Sequence, residues 1–503
     1  MSTQRNWRTD LDRALARIRD EYHHARVLVR TKPGISATAP ILNATRPRAV
    51  VPSSGKASRS SAAVGSEMGS PRIASNGIAH LVRTVRAKHV AAPPQLRVVP
   101  SQPRAVVPSS GYEARREAAA RRAWISPSDP VDRMLRDLRA LAQEPQTRTR
   151  MARVRDVVAA VPAELHAQLV ARDSALLANL NGVPFALRMQ ACRTQINADF
   201  AAQQLRTSEA RRAFESETSR NRVQQLAVRR RYSRARRTLS GLEALRAPFV
   251  SSDGASWERQ FLAYVPETVM SSGRVVEVFG DLHSAHHVLI MVSGMNNSSS
   301  TFFSARNKLE QVVQLAMREH PNAQFAAIEW MGYDSPDYVR SLGSRPAVRG
   351  AAELRAFVDA LELSAGAQLT IVGHSYGSLV VSEALRQGLG VHRAVFTGSP
   401  GVRAKHVDEL LLPSESVFAA ANDRDLVVRL KWHGTNPASA QFGAVQLATS
   451  GRRHAEYFVP DSGALTVRNV MHIALGQLDR LARLAHDAAI TEMRTSSEGP
   501  ALR

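Results

Sequence analysis

The chain has 503 residues, enough for two or three domains and at least one large core. Its single cysteine, Cys192, excludes an intrachain disulfide, and no uncharged apolar run reaches the ~18 residues of a membrane span. Residues 1–250 hold 44 Lys+Arg against 19 Asp+Glu, a net of +25, whereas residues 251–503 hold 23 against 25, a net of −2.

The segment Met1-Ser2-Thr3-Gln4-Arg5-Asn6-Trp7-Arg8 has no apolar core of a signal peptide. The expected location is therefore cytoplasmic, with signal-independent export as the alternative. Leu11, Leu15, Ile18, Tyr22 and Val27 make a thin stripe at near-helical spacing, which reads as a marginal amphipathic helix. Residues 31–111 are rich in Ser, Pro, Ala and Arg without a sustained period, and read as disordered. Within them Pro47-Arg48-Ala49-Val50-Val51-Pro52-Ser53-Ser54-Gly55 recurs identically from Pro103 to Gly111, as a recent duplication or a docking peptide. The basic region 1–111 is thus a solvated tail or the seat of an anionic partner, either a membrane surface or nucleic acid.

Residues 112–250 read as a helical region punctuated by Pro127, Pro130, Pro145, Pro162 and Pro184, expected to pack on the C-terminal half of the chain. Ser128-Asp129-Pro130-Val131 has the form of a capped start with proline in the first turn. Near the end of this region, six of the nine residues Arg229 to Arg237 are arginine with one aromatic, Tyr232, between them. That text fits an exposed helix face or a nucleic-acid contact.

After Ser251-Ser252-Asp253-Gly254 short apolar runs alternate with amphipathic helices up to about residue 490, and 491–503 reads as a tail. Strands are predicted at 260–265, 274–279, 287–292, 324–330, 368–372, 393–397, 416–421 and 444–447. Helices are predicted at 303–319, 348–361, 378–387 and 465–484. This alternation predicts an α/β domain with a mainly parallel, doubly wound sheet that opens on an antiparallel pair.

At the end of the strand 368–372 stands Gly373-His374-Ser375-Tyr376-Gly377, followed at once by a helix. A strand-to-helix turn this tight strains its apex, requires small neighbours two residues away and presents the apex hydroxyl at the sheet edge. Ser375 is the candidate nucleophile. A serine hydroxyl needs a histidine base, and that base needs a carboxylate to fix its tautomer. With such an elbow the chain order is nucleophile, acid, histidine. The loop Asn422-Asp423-Arg424-Asp425 supplies Asp425 as the acid, with Asp423 as the alternative. His454 lies on the loop after the last strand and is the candidate base, with His433 as competitor, while His472 reads as core and His374 as structural. The oxyanion donors are the N–H groups of Tyr376 and of Met295, in a loop where Gly294 allows close approach. No metal-ligand spacing and no dinucleotide or nucleotide loop is present, so neither metal nor cofactor is expected.

Taken as a set, several segments resemble an actinobacterial α/β-hydrolase family of unknown function. They are Ser293-Gly294-Met295, Glu329-Trp330-Met331-Gly332-Tyr333-Asp334-Ser335-Pro336, Gly373 to Ser378, Thr397-Gly398-Ser399-Pro400-Gly401-Val402, Asp425-Leu426-Val427 and His454-Ala455-Glu456-Tyr457. Asn181-Gly182-Val183-Pro184 with Arg188 and Arg193 is similar to the family's helical preamble, so the likeness covers about residues 155–480. It departs at Leu426, usually proline, and at Ala455, usually small and polar. The resemblance implies the α/β-hydrolase fold and a Ser-His-Asp triad, and supplies no substrate. The leading expectation is a serine hydrolase of esterase or lipase type acting on a small or lipid-like acyl ester. The alternatives are a delivered effector with a hydrolase payload and a non-catalytic binding protein.

Overall fold

A computed structural model describes residues 129–484. The amphipathic stripe, the repeated nonapeptide, the start of the helical region at 112–128 and the tail from 491 lie outside the described residues.

The helical region comprises α1 (Pro130–Gln143), α2 (Arg148–Ala159), α3 (His166–Asn179), α4 (Phe185–Glu215) and α5 (Arg222–Arg246). Helix α1 starts as its sequence dictates: the Asp129 carboxylate accepts the Val131 N–H at 2.8 Å, and Pro130 needs no donor in the first turn. The long helices α4 and α5 run antiparallel, with Gln203 donating to the Ala235 carbonyl at 3.0 Å and Arg246 to Asn197 at 2.8 Å. Only Gly241, Leu242 and Leu245 of α5 are buried, so its arginine-rich N-terminal part projects into solvent.

A short antiparallel pair, β1 (Phe249–Val250) and β2 (Ser256–Trp257), brackets the Ser251–Gly254 turn. The main sheet comprises β3 (Gln260–Val265), β4 (Arg274–Phe279), β5 (His287–Val292), β6 (Phe325–Met331), β7 (Gln368–His374), β8 (Arg393–Thr397), β9 (Val417–Ala420) and β10 (Val445–Leu447). Its spatial order is β10-β9-β8-β7-β5-β6-β4-β3. The strands from β10 to β6 are parallel, while β4 runs antiparallel to both β6 and β3. The remaining helices are α6 (Phe303–Glu319), α7 (Arg345–Asp359), α8 (Gly377–Leu385), α9 (Leu426–Leu430) and α10 (Ala464–Ala474).

Strand β5 is apolar on both sides because both faces are covered. Val288, Ile290 and Val292 face the core of α7 and α8, and Leu289 and Met291 face that of α6 and α10. The helical region makes a third core against the β3 end of the sheet, where Leu177, Ala191 and Ile196 meet Phe261, Tyr264 and Val275. Asn179 at the end of α3 serves both backbone groups of Tyr264: its amide donates to the Tyr264 carbonyl at 2.9 Å and its oxygen accepts the Tyr264 N–H at 3.2 Å.

Several predicted bounds shift by one to three residues, as for α7 at Arg345–Asp359, and two corrections have a clear cause. Strand β7 runs two residues further, to His374, because β8 continues to pair with it through Thr397. The last helix stops at Ala474 instead of near 484, since Gly476 takes a left-handed φ of 74° and turns the chain back. Residues beyond it close the other sheet edge, where Leu447 bridges Arg483 and the Leu484 N–H donates to the Gln446 carbonyl at 3.1 Å. Among the described residues no helix is long and apolar enough to cross a membrane.

Candidate active site

Strand β7 carries Ser375 to the C-terminal edge of the sheet, and α8 starts two residues later. Ser375 has φ 57°, a left-handed conformation that a non-glycine residue holds only when its surroundings enforce it. The enforcement is steric. A Cβ on Gly373 would lie 2.6 Å from Ser378 Cα, and one on Gly377 would collide with the Val292 carbonyl oxygen.

The structure brings Ser375, His454 and Asp425 together. His454 Nε2 stands 2.9 Å from Ser375 Oγ, and its Nδ1 stands 2.8 Å from Asp425 Oδ2. All three are buried. Asp425 divides its oxygens: Oδ1 caps α9 by accepting the Val427 and Val428 N–H groups at 2.8 and 3.3 Å, while Oδ2 faces His454. Burial pushes this carboxyl up. The opposing effects of the His454 charge and of hydrogen bonds from His454, Tyr457 and α9 are together larger, so the acid titrates below its ordinary range. Asp423 is exposed, and among the described residues its one hydrogen bond is at its backbone carbonyl, to Arg429 at 2.6 Å.

The other histidines lie elsewhere. His433 Nε2 faces the Ser341 carbonyl at 2.9 Å, with its ring edge-on to Tyr376, and His472 pairs with Gln477 at 2.8 Å within the α10 end. His374 is buried against the sheet and Thr397, and its ring also stacks on His454 with centroids 5.3 Å apart. Burial first, then the Lys308 and His454 charges, hold its pKa well below 6.5. It is therefore a neutral platform for the His454 ring.

The loop after β5 lies against Ser375. A Cβ on Gly294 would sit 3.2 Å from Ser375 Cβ, so only glycine permits the approach. Neither the Met295 nor the Tyr376 N–H donates to a protein acceptor among the described residues.

Several supporting side chains were not singled out by sequence, although most sit in the segments that carry the family resemblance. Tyr457 OH donates to Asp425 Oδ2 at 2.9 Å and accepts the Asn422 N–H at 2.8 Å. Tyr333 OH and Ser335 Oγ each reach a carbonyl of the Ser293–Gly294 loop at 3.0 Å. A Cβ on Gly398 would fall 2.7 Å from the Tyr457 ring and 3.2 Å from Asp425 Oδ2. Beneath the loop, Ser293 Oγ donates to Glu329 Oε1 at 2.6 Å. Burial raises the Glu329 carboxyl to about 8, and burial lowers the neighbouring Lys308 of α6 to about 8.

A nucleophile elbow between a parallel strand and a helix, with acid and histidine on later loops, defines a class of doubly wound proteins. A family model described as alpha/beta hydrolase matches residues 269–433. The uncharacterized protein Rv0963c of Mycobacterium tuberculosis is 32% identical over 217 residues, covering 41% of this chain and 78% of the relative. The uncharacterized protein Rv2079 of the same organism is 29% identical over 262 residues, covering 44% of this chain and 40% of the relative. The chain belongs to the family of Rv0963c, and its residues 269–433 match the alpha/beta hydrolase model. Among solved structures, the esterase domain of a Rhodothermus marinus protein is 12% identical with a TM-score of 0.26, covering 47% of this chain and 97% of that one.

Proposed function

We propose that this protein is a serine hydrolase that cleaves an ester through an acyl-enzyme. The observation that carries the reading is the unbroken contact chain Ser375 Oγ–His454 Nε2, 2.9 Å, and His454 Nδ1–Asp425 Oδ2, 2.8 Å. In this mechanism Ser375 Oγ attacks the acyl carbon while His454 Nε2 takes its proton. Asp425 keeps Nδ1–H directed at itself and stabilises the imidazolium, helped by the low pKa of its carboxyl. The N–H groups of Met295 and Tyr376 receive the oxyanion, and the N-terminus of α8 adds its dipole. His454 then protonates the leaving alcohol, and water repeats the sequence on the acyl-enzyme.

A fluorophosphonate probe tests the reading. It should label the wild-type protein once per chain and leave Ser375→Ala unlabelled. Labelling that persists in a folded Ser375→Ala protein removes the nucleophile, and an unlabelled wild type favours the non-catalytic alternative.

A further inference from the structure

A basic groove runs from α5 to the loop beside the nucleophile. Its outer part, about 500 Å³, is walled by Arg229, Arg230, Arg234 and Arg237 with Glu267 opposite. Its inner part, about 290 Å³, shares Arg234, Arg237 and Glu267 and ends on Asn296, Asn297 and Ser335. None of the four α5 arginines has a carboxylate partner among the described residues. Two acids face them, Glu267, whose Oε2 accepts Ser300 Oγ at 2.7 Å, and Asp337, whose Oδ1 accepts the Arg340 N–H at 2.8 Å, and the four arginines outnumber these two carboxylates.

The groove is held in register with the triad. A Cβ on Gly241 of α5 would lie 2.5 Å from the Ser300 carbonyl oxygen, so the helix rests backbone on backbone against the serine-rich loop. Arg306 fixes the same end of α5 through the Ala244 carbonyl at 3.0 Å. At the inner end, Ser335 Oγ and the Asn297 side chain both bond the Gly294 carbonyl at 3.0 Å, and Gly294 is the residue packed on Ser375. The groove wall and the nucleophile therefore flank one glycine. The rim is apolar: Leu226 stands on the helix bank, while Val269 and Met270, 81% and 87% exposed, stand on the other.

Guanidiniums without a carboxylate partner, gathered on one wall of a cleft, match a group with several anionic oxygens, and an exposed apolar rim matches a hydrocarbon portion. We infer that the groove holds the phosphate of the substrate, an acyl ester that also carries a phosphate group. This inference rests on the hydrolase reading and narrows its substrate class.

The test uses the butyryl esters of 4-hydroxyphenyl phosphate and of 4-methoxyphenol with the full-length protein. The wild type should favour the phosphate ester in kcat/KM by about tenfold or more, and Arg234→Gln/Arg237→Gln should erase that ratio. Arg231→Gln, on the same helix but outside the groove, should leave it unchanged. In Ser375→Ala, calorimetry should show the phosphate ester binding more tightly than the methoxy ester. That binding preference without turnover in the wild type would sink the hydrolase reading alone. Turnover of both esters with a ratio that the double substitution does not move overturns the phosphate site alone. A double variant that loses affinity for a single-stranded oligonucleotide, with the ester ratio intact, assigns the groove to nucleic acid and likewise overturns the inference.

Discussion

Two buried carboxylates sit side by side in this sheet, Glu277 on β4 and Glu329 on β6, as direct register partners. Glu277 is matched in charge. Arg259 reaches it at 2.6 Å and Arg306 at 3.9 Å, and both arginines also approach Glu310, at 3.0 and 3.3 Å. Glu329 has only the Ser293 hydroxyl, its second oxygen lacks a hydrogen-bond partner among the described residues, and the nearby Lys308 makes no ion pair with it. The matched cluster fastens α6 and the chain before β3 to the sheet. The unmatched one underlies the loop that touches Ser375. Burial raises both carboxyls, and each keeps one oxygen without a hydrogen-bond partner among the described residues, so the difference lies in the arginines: Glu277 has two beside it, whereas Glu329, raised to about 8, has none.

The sharpest way to break the site's side of this comparison is Asp425→Asn. Loss of the correct imidazole tautomer should lower kcat by about 10⁴-fold with the fold intact, read by steady-state ester hydrolysis and circular dichroism. A loss under about tenfold would remove Asp425 from the mechanism. On the structural side, Arg259→Ala leaves Glu277 and Glu310 short of a partner in the interior and should cost about 3–5 kcal/mol in urea unfolding. A cost below about 1 kcal/mol would show that the cluster does not fasten the elements it joins.

Glu329→Gln sharpens the contrast through pH. The folded carboxyl titrates near 8, above its unfolded value of 4.5, so its contribution to stability is complete below 4.5 and is lost as pH rises toward 8. The wild-type Tm should therefore fall between pH 5 and pH 8 by roughly 2 °C or more beyond the fall in Glu329→Gln. Parallel curves for the two proteins would contradict the raised pKa. The smallest effect belongs to Asp423→Asn. This exposed residue holds no side-chain partner among the described residues, so stability should stay within about 0.5 kcal/mol. An activity loss larger than that of Asp425→Asn would reverse the two aspartates.

Much of the sheet was legible because its strands are short apolar runs set off by turns. Strands β3, β4, β5 and β8 fall where the period and the punctuation place them. The elbow was legible because sterics allow so few residues around Ser375. Chain order pointed to the loops that hold Asp423 and Asp425, and His433 and His454, since loops at one sheet edge converge whatever their spacing, but it did not choose within them; the structure sets Asp425 and His454 beside Ser375. What the sequence withheld depends on contacts across the chain. Glu329 reads as an interruption in an apolar strand until the Ser293 hydroxyl is seen to bond it. Gly398 reads as a turn residue until Tyr457 and Asp425 close on it. The early end of α10 turned on the backbone angle of Gly476, where the helical pattern alone would run on. Arg234 and Arg237 look like one more solvated helix face until Gly241 fixes which loop they overhang.

The clasp of Asn179 on Tyr264 bears on how the molecule behaves among its own copies. Strand β3 is the outer strand of the sheet, and a bare outer strand is a template on which another chain can add itself. Asn179 bonds both backbone groups of Tyr264, and the helices behind it cover the edge. At the opposite end the segment after α10 does the same for β10. The sheet is thus terminated on both sides by chain that is not part of it. A chain beginning at Ser251 would keep its triad residues but present a naked β3, and its characteristic failure would be strand-to-strand polymerisation, visible as thioflavin-positive fibres.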